Sequence, residues 1–212
     1  MREDPGIHLW LVRHGESTWN RERRFQGARD AELSERGRAQ AEALARGLAG
    51  REFAALYTSP LRRARDTAAP CAAALGLAPT PVPELREVGL GDWEGVTVDE
   101  VVARDGDRYW AWLTAPAAHP PPGGEPMDAF QRRVCAAVAR LAGRHPDAPV
   151  LVVTHGGVIA ALLCRCLALG LDAVWRLRVE NASVTRLAWP AGRLAALNDT
   201  RHLLATAAAA TP

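Results

Sequence analysis

Lysine is absent from this 212-residue chain: every basic residue in the Lys+Arg count of 26 is arginine. A Walker-A loop needs lysine on its phosphates, a protein kinase needs its strand lysine, and Schiff-base catalysis needs a lysine amine, so these chemistries are excluded. Arginine does not replace lysine there, because it keeps its proton and presents a planar fork that suits phosphate and carboxylate. Cysteine is scarce as well. The four cysteines, Cys71, Cys135, Cys164 and Cys166, form no CxxC pair, which argues against a zinc ribbon or dithiol centre and predicts buried, reduced thiols. No apolar run is long enough to read as a membrane span. The richest, Val150–Leu171, is interrupted by Thr154-His155-Gly156-Gly157 and by Arg165. Near the start, Ile7–Val12 is too short for a signal-peptide core, so a soluble, cytoplasmic protein is expected. A charge surplus is missing too. With a net charge of +2 and arginines interleaved with acids, as in Arg21-Glu22, Glu35-Arg36 and Arg65-Asp66, neither nucleic acid nor membrane is an expected partner.

What the chain does have is ordinary globular composition, 48% hydrophobic and 24% charged, on a pattern of short apolar runs alternating with helical ones. The near-continuous apolar run Ile7–Val12 reads as a strand covered on both faces. Ser34–Gly50 reads as a helix capped by Ser34 and ended by Gly50, and Phe53–Thr58 as a second strand. A helix is expected from Ser59-Pro60 to about Leu75, with the proline at its first position. Further helices are expected at Thr97–Leu113, Met127–His145 and Gly157–Leu169, with a strand at Pro149–Thr154 and a hairpin of Val184–Trp189 with Leu194–Leu197. Thr114–Pro126, rich in proline and glycine, reads as an irregular loop, and Glu125 with Asp128 as acids at a helix start. The expected fold is one α/β domain over 1–212, a three-layer sandwich whose central sheet is mostly parallel and flanked by helices, with a variable segment at about 97–126. Its site belongs at the carboxyl ends of the strands.

Two histidines occupy such ends. His14-Gly15 follows the first strand, and His155-Gly156-Gly157 follows the strand ending at Thr154. A single strand-end histidine is usually structural, but two with the same local grammar point to a site. Glycine behind each lets a ligand approach the backbone and leaves amides for an anion.

These residues belong to longer blocks. Leu11-Val12-Arg13-His14-Gly15-Glu16-Ser17-Thr18-Trp19-Asn20, Ser59-Pro60-Leu61-Arg62-Arg63-Ala64-Arg65, Leu85-Arg86-Glu87 with Gly91-Asp92-Trp93-Glu94-Gly95, and Thr154-His155-Gly156-Gly157 follow one another in that order. In this they resemble the signature blocks of the histidine phosphatase superfamily, the phosphoglycerate-mutase-like proteins. Asn181-Ala182-Ser183-Val184 and Asn198-Asp199-Thr200 are similar to its tail.

The resemblance implies a phosphatase acting on a small phosphorylated metabolite, with no cofactor and no metal. His14 would be the nucleophile that becomes phosphohistidine, and Arg13, Arg63 and His155 would neutralise and hold the phosphoryl group. Glu87 would protonate the departing oxygen and then help activate water. Asn20, Gln26, Gly27 and the amide of Gly156 fall on phosphate-contacting positions. Of three neighbouring arginines it selects Arg63, leaving Arg62 and Arg65 solvated or paired. Trp93 reads as packing beneath the site, while Arg23, Arg24 and Phe25, with Thr97–Pro126, would set substrate identity. Whether the chain forms a homodimer stays open. Three rival readings are a cofactor-dependent mutase, a metal-dependent hydrolase built on His14 and His155, and an inactive phosphate-binding protein. The mutase reading lacks the insert and the lysine such enzymes carry, and the run Val88–Gly95 resembles the phosphatase branch.

Overall fold

The computed structural model describes residues 7–204 except Asp147, so both ends of the expected 1–212 domain lie outside the described residues. The strands are β1 (Ile7–Arg13), β2 (Ala55–Thr58), β3 (Pro79–Pro81), β4 (Val150–Thr154), β5 (Val184–Trp189) and β6 (Arg193–Asp199). Helices are α1 (Thr18–Arg21), α2 (Glu35–Leu48), α3 (Arg62–Leu75), α4 (Val98–Thr114), α5 (Met127–Arg144) and α6 (Gly156–Cys166). The strands form one sheet in the order β3-β2-β4-β1-β5-β6. Pairings β2–β3, β2–β4 and β1–β4 are parallel, whereas β5 runs antiparallel to β1 and to β6.

The central strands are apolar because both their faces are covered. All of β4 is buried, as are Leu9, Leu11 and Val12 of β1. On one face Val12, Leu56, Leu151 and Val153 pack with Leu44 and Leu48 of α2 and Ala64 and Ala68 of α3. On the other, Leu9, Leu11, Val150 and Val152 meet Phe130, Val134 and Val138 of α5, the apolar α6, and Trp93. The result is the expected three-layer sandwich with a mixed sheet. Among the described residues, no helix is long and apolar enough to cross a membrane.

Register explains the site's position. Arg13 on β1 pairs with Thr154 on β4, so the residues that follow, His14 and His155, emerge side by side at the carboxyl edge. The amide of His14 donates to the Thr154 carbonyl at 2.9 Å, extending the ladder by one bond.

Some elements differ from expectation. The helix expected from Ser59-Pro60 begins at Arg62, with Leu61 as its N-cap and no side-chain cap, because Ser59 and Pro60 carry the chain from β2 towards the site. Instead, Asp30 Oδ1 accepts the Arg62 amide at 2.6 Å. Pro70 sits inside α3, and Gly76 closes it in the left-handed conformation at φ 66°. The short edge strand β3 was not legible, since Pro79-Thr80-Pro81 is wholly exposed and has no apolar period. Glu125 is not the helix-start acid: the first turn of α5 holds Asp128, and Glu125 is turned into an ion pair with Arg133. In the aromatic cluster, Trp93 is fully buried against Phe25 and Trp112 and donates to Asp105 at the kink in α4. Phe25 is therefore partly spent on packing.

Candidate active site

His14 and His155 lie with ring centroids 5.2 Å apart, 3% and 0% exposed. His14 Nδ1 is 2.7 Å from the carbonyl oxygen of Gly15. A carbonyl can only accept, so Nδ1 carries the proton and the Nε2 lone pair is the nucleophilic position. Burial, then the charges of Arg63 and Arg13, hold the His14 pKa well below its ordinary 6.5, so the imidazole is neutral. The Gly15 amide donates to Thr67 Oγ1 at 2.9 Å, and that hydroxyl donates to the Arg63 carbonyl, locking the histidine turn onto α3.

His155 Nε2 stands 2.7 Å from Ser59 Oγ, and its Nδ1 is buried without a protein partner. With the serine hydroxyl donating to Nε2, Nδ1–H remains a donor for a ligand. Burial first, then Arg63, His14 and Arg13, depress its pKa far below 6.5.

The two arginines are anchored by their tips. Arg13 Nη1 donates to Val179 O at 2.6 Å; Arg63 Nη1 and Nη2 donate to Arg29 O at 2.6 Å and Gly27 O at 2.8 Å. Each leaves a buried Nε–H unpaired. Burial lowers both pKa values, that of Arg63 to about 10, which still leaves it charged at neutral pH. Arg63 is 1% exposed, whereas Arg62 is turned outward against Asp66 and Glu32 at 3.4 Å each.

Glu87 follows a short 3-10 turn (Pro83–Leu85) and brings its carboxylate beside α6, where Oε2 accepts the Gly157 amide at 3.0 Å and Oε1 accepts that of Val88. Gly157 has no room for a Cβ, which would overlap the Glu87 carboxylate, and a Cβ on Gly156 would touch the Arg13 side chain. Arg13, Glu87, Gly156 and Gly157 line one end of a cavity of about 200 Å³ whose remaining wall is largely apolar, with Ala160, Val174, Leu177 and Val179.

Asn20 Oδ1 accepts the Ser17 amide at 3.1 Å and Asn181 Nδ2 at 3.2 Å, and Gln26 Oε1 accepts Ser17 Oγ at 2.8 Å. With both oxygens committed, each side chain has its amide NH₂ left to offer. Gly27, at φ 53°, contributes its carbonyl to Arg63. Sequence reasoning missed three contributors: Ser59 as the partner of His155, Thr67 as the lock on Gly15, and Asn181, whose Nδ2 also donates to the His14 carbonyl at 3.1 Å. In the sequence, Asn181 stands out only as part of a family-like tail.

Among the described residues, no group of three or more His, Cys, Asp or Glu side chains could hold a metal ion. The groups beside the two histidines are guanidiniums and one carboxylate, a set that suits an anion.

The family model of the histidine phosphatase superfamily (branch 1) matches residues 9–200. The chain belongs to the histidine phosphatase superfamily. It is 34% identical over 199 residues to phosphoserine phosphatase 1 of Hydrogenobacter thermophilus, covering 93% of this chain and 94% of that protein. It is 34% identical over 175 residues to the adenosylcobalamin/alpha-ribazole phosphatase of Escherichia coli, covering 82% and 86%. A solved structure of a mycobacterial glucosyl-3-phosphoglycerate phosphatase complexed with VO3 superposes with a TM-score of 0.83 at 37% identity, covering 92% of this chain and 100% of that one. Phosphomonoester hydrolysis is the class of reaction this superfamily member carries out.

Proposed function

We propose that this phosphatase hydrolyses a small phosphomonoester through a phosphohistidine on His14, with Glu87 as proton donor and without a metal ion. The observation that carries this reading is the arrangement around His14: a neutral imidazole with Nε2 free, beside three buried unpaired donors, Arg13 Nε, Arg63 Nε and His155 Nδ1. Unpaired buried donors are costly unless an acceptor arrives, and a phosphoryl group brings three oxygens with spread charge.

In the first step, His14 Nε2 forms a bond to phosphorus as the bond from phosphorus to the alcohol oxygen breaks. The proton of Glu87 goes to that oxygen, and the neutral alcohol leaves. In the second step Glu87 takes a proton from water, the water oxygen attacks phosphorus, and the phosphorus–nitrogen bond breaks, restoring neutral His14 and releasing phosphate. Arg13 and Arg63 hold fixed positive charge against the equatorial oxygens in both steps, supplying what a metal ion would otherwise bring. Asn20, Gln26 and the Gly156 amide add hydrogen bonds. Because Glu87 lines the 200 Å³ cavity, the leaving oxygen and the alcohol belong in it.

The test is an acid quench with labelled phosphomonoester, in chelator and without. Label should appear on the protein, depend on His14, and be unaffected by chelator. Label on the His14→Ala chain, or activity that chelator removes and zinc or magnesium restores, would contradict the proposal. The mutase alternative makes its own prediction, robust transfer within a phosphoglycerate with negligible phosphate release, whereas hydrolysis should dominate here by orders of magnitude.

A further inference from the structure

Among the described residues, the hydrogen bonds of the Glu87 carboxylate come from two backbone amides, so its position depends on the backbone that presents it. From Arg86 to Leu90 that backbone is irregular, which makes its other restraints informative.

Arg133 on α5 grips this segment. A guanidinium has five N–H donors, and the structure gives each a partner. Nη1 donates to Glu84 O at 2.6 Å and to Arg86 O at 2.9 Å, and Nη2 donates to Glu87 O at 3.0 Å. The remaining two close a bidentate pair with Glu125: Nε to Oε1 at 2.6 Å and Nη2 to Oε2 at 2.7 Å. Glu125 then bonds the far side of Glu87. Its Oε2 accepts the Gly89 amide at 3.3 Å, and its own amide donates to Gly89 O at 2.8 Å. The fork stacks on the Phe130 ring at 4.8 Å, and the two side chains are only 14% and 19% exposed. Burial raises the Glu125 pKa, but the hydrogen bonds and charge of Arg133 outweigh it and hold the carboxylate ionised. The rigid, planar Arg–carboxylate fork is the strongest ion-pair geometry available to a side chain.

We infer that Glu125 and Arg133 are positioning residues for Glu87, holding the 84–89 segment so that the carboxylate meets the leaving oxygen. The inference rests on Glu87 being the proton donor. The segment 115–126, which in sequence is a proline-rich loop, thereby carries an active-site restraint.

A brace of this kind has a kinetic signature that general stabilisation lacks. Displacing Glu87 should matter when the leaving oxygen is an alkoxide, which needs its proton, and hardly at all when it is a nitrophenolate. The phosphate-binding set is untouched in either case. The experiment measures the first step, formation of the phosphoenzyme, for an alkyl phosphate and for p-nitrophenyl phosphate in Glu125→Gln and Arg133→Lys, each checked for native unfolding cooperativity. The expected result is a loss of about 10²-fold on the alkyl phosphate, the usual consequence of a misplaced group, little change on p-nitrophenyl phosphate, and unchanged inhibition by inorganic phosphate. In a Glu87→Gln background, Glu125→Gln should add no further selective loss.

Equal losses on both substrates in the folded variants, or no loss, overturn the inference. So does a selective loss that persists undiminished when Glu87 is already glutamine. The two levels separate cleanly: a selective defect in Glu87→Gln without one in Glu125→Gln or Arg133→Lys removes the brace alone, while a non-selective Glu87→Gln removes the proton donor and the brace with it. If Glu125→Gln does not fold, Arg133→Lys decides, since it keeps the charge but cannot reproduce the fork.

Discussion

Glu87 and Arg63 sit within one small site, and the proposed mechanism has them serve different atoms, which kinetics can tell apart. Glu87 lines the cavity proposed to take the alcohol, whereas Arg63 is 1% exposed and, in the proposed mechanism, offers charge to the phosphoryl group shared by all substrates. Glu87→Gln is expected to lose roughly 10²–10⁴-fold in the first step on an alkyl phosphate, the worth of a positioned acid, and much less on p-nitrophenyl phosphate. Arg63→Ala should depress both substrates alike, by about 10²–10³-fold, the cost of removing a preorganised charge donor. Rapid-quench measurement of the first step separates the two, because the common hydrolysis of phospho-His14 would mask the contrast in steady state. Identical patterns for the two variants would remove Glu87 from the acid role.

At the scale of elements, the turn from β4 into α6 fits against Glu87 because Gly157 carries no side chain. Gly157, the second residue of α6, sits where a Cβ would overlap the Glu87 carboxylate. Gly157→Ala has two consequences of opposite sign. Alanine favours the helix by up to about 1 kcal/mol, so the fold should survive, while the methyl group displaces Glu87 and should lower alkyl phosphate turnover about 10²-fold. Thermal unfolding and kcat on the same preparation check both halves. Retained stability with retained turnover would mean that Glu87 tolerates another position. The same element scale shows where sequence reading succeeded: β1, α2 and β4 were legible from apolar continuity, a serine cap and a closing glycine. The start of α3 was misplaced, because Ser59 has a long-range partner, His155, that no local pattern encodes.

For the molecule as a whole, neutral buried histidines tie stability to pH. His14 and His155 stay unprotonated in the folded protein well below 6.5, held down by burial and by the arginines. The unfolded chain takes up those protons near 6.5, so below that pH it binds more protons than the folded one. Stability therefore rises with pH through this window and is lost on acidification below about 6.5, by up to about 1.4 kcal/mol per pH unit for each histidine, and is level in this respect above it. Denaturant unfolding at about pH 7.5 and pH 5.5 should show the loss, and His155→Asn should reduce it to the part that His14 contributes. An unchanged unfolding free energy would mean that the site's imidazoles titrate in the folded protein as they do in the unfolded chain. Inorganic phosphate should stabilise the protein by about 2.7 kcal/mol at a hundred times its Kd.

Sequence alone determined the class of chemistry and most of the frame. The absence of lysine removed whole enzyme classes, the strand-and-helix alternation implied a layered α/β fold, and the block resemblance singled out His14, Arg13, Arg63, Glu87 and His155. His14 and His155 were legible as glycine-flanked strand ends, whereas Arg13, Arg63 and Glu87 were legible only through their places in the resembling blocks. Tertiary structure decided what depends on distant partners. It set the His14 tautomer through the Gly15 carbonyl and turned Arg63 inward while Arg62 faced water. It also brought Asn181 to the back of His14 across 167 positions of chain. Most of all, it converted Glu125, which locally reads as a helix-start acid, into half of a fork with Arg133 that grips the Glu87 backbone. Local pattern encodes where an element begins, but hydrogen-bond donors buried between elements find their acceptors only once the layers have packed.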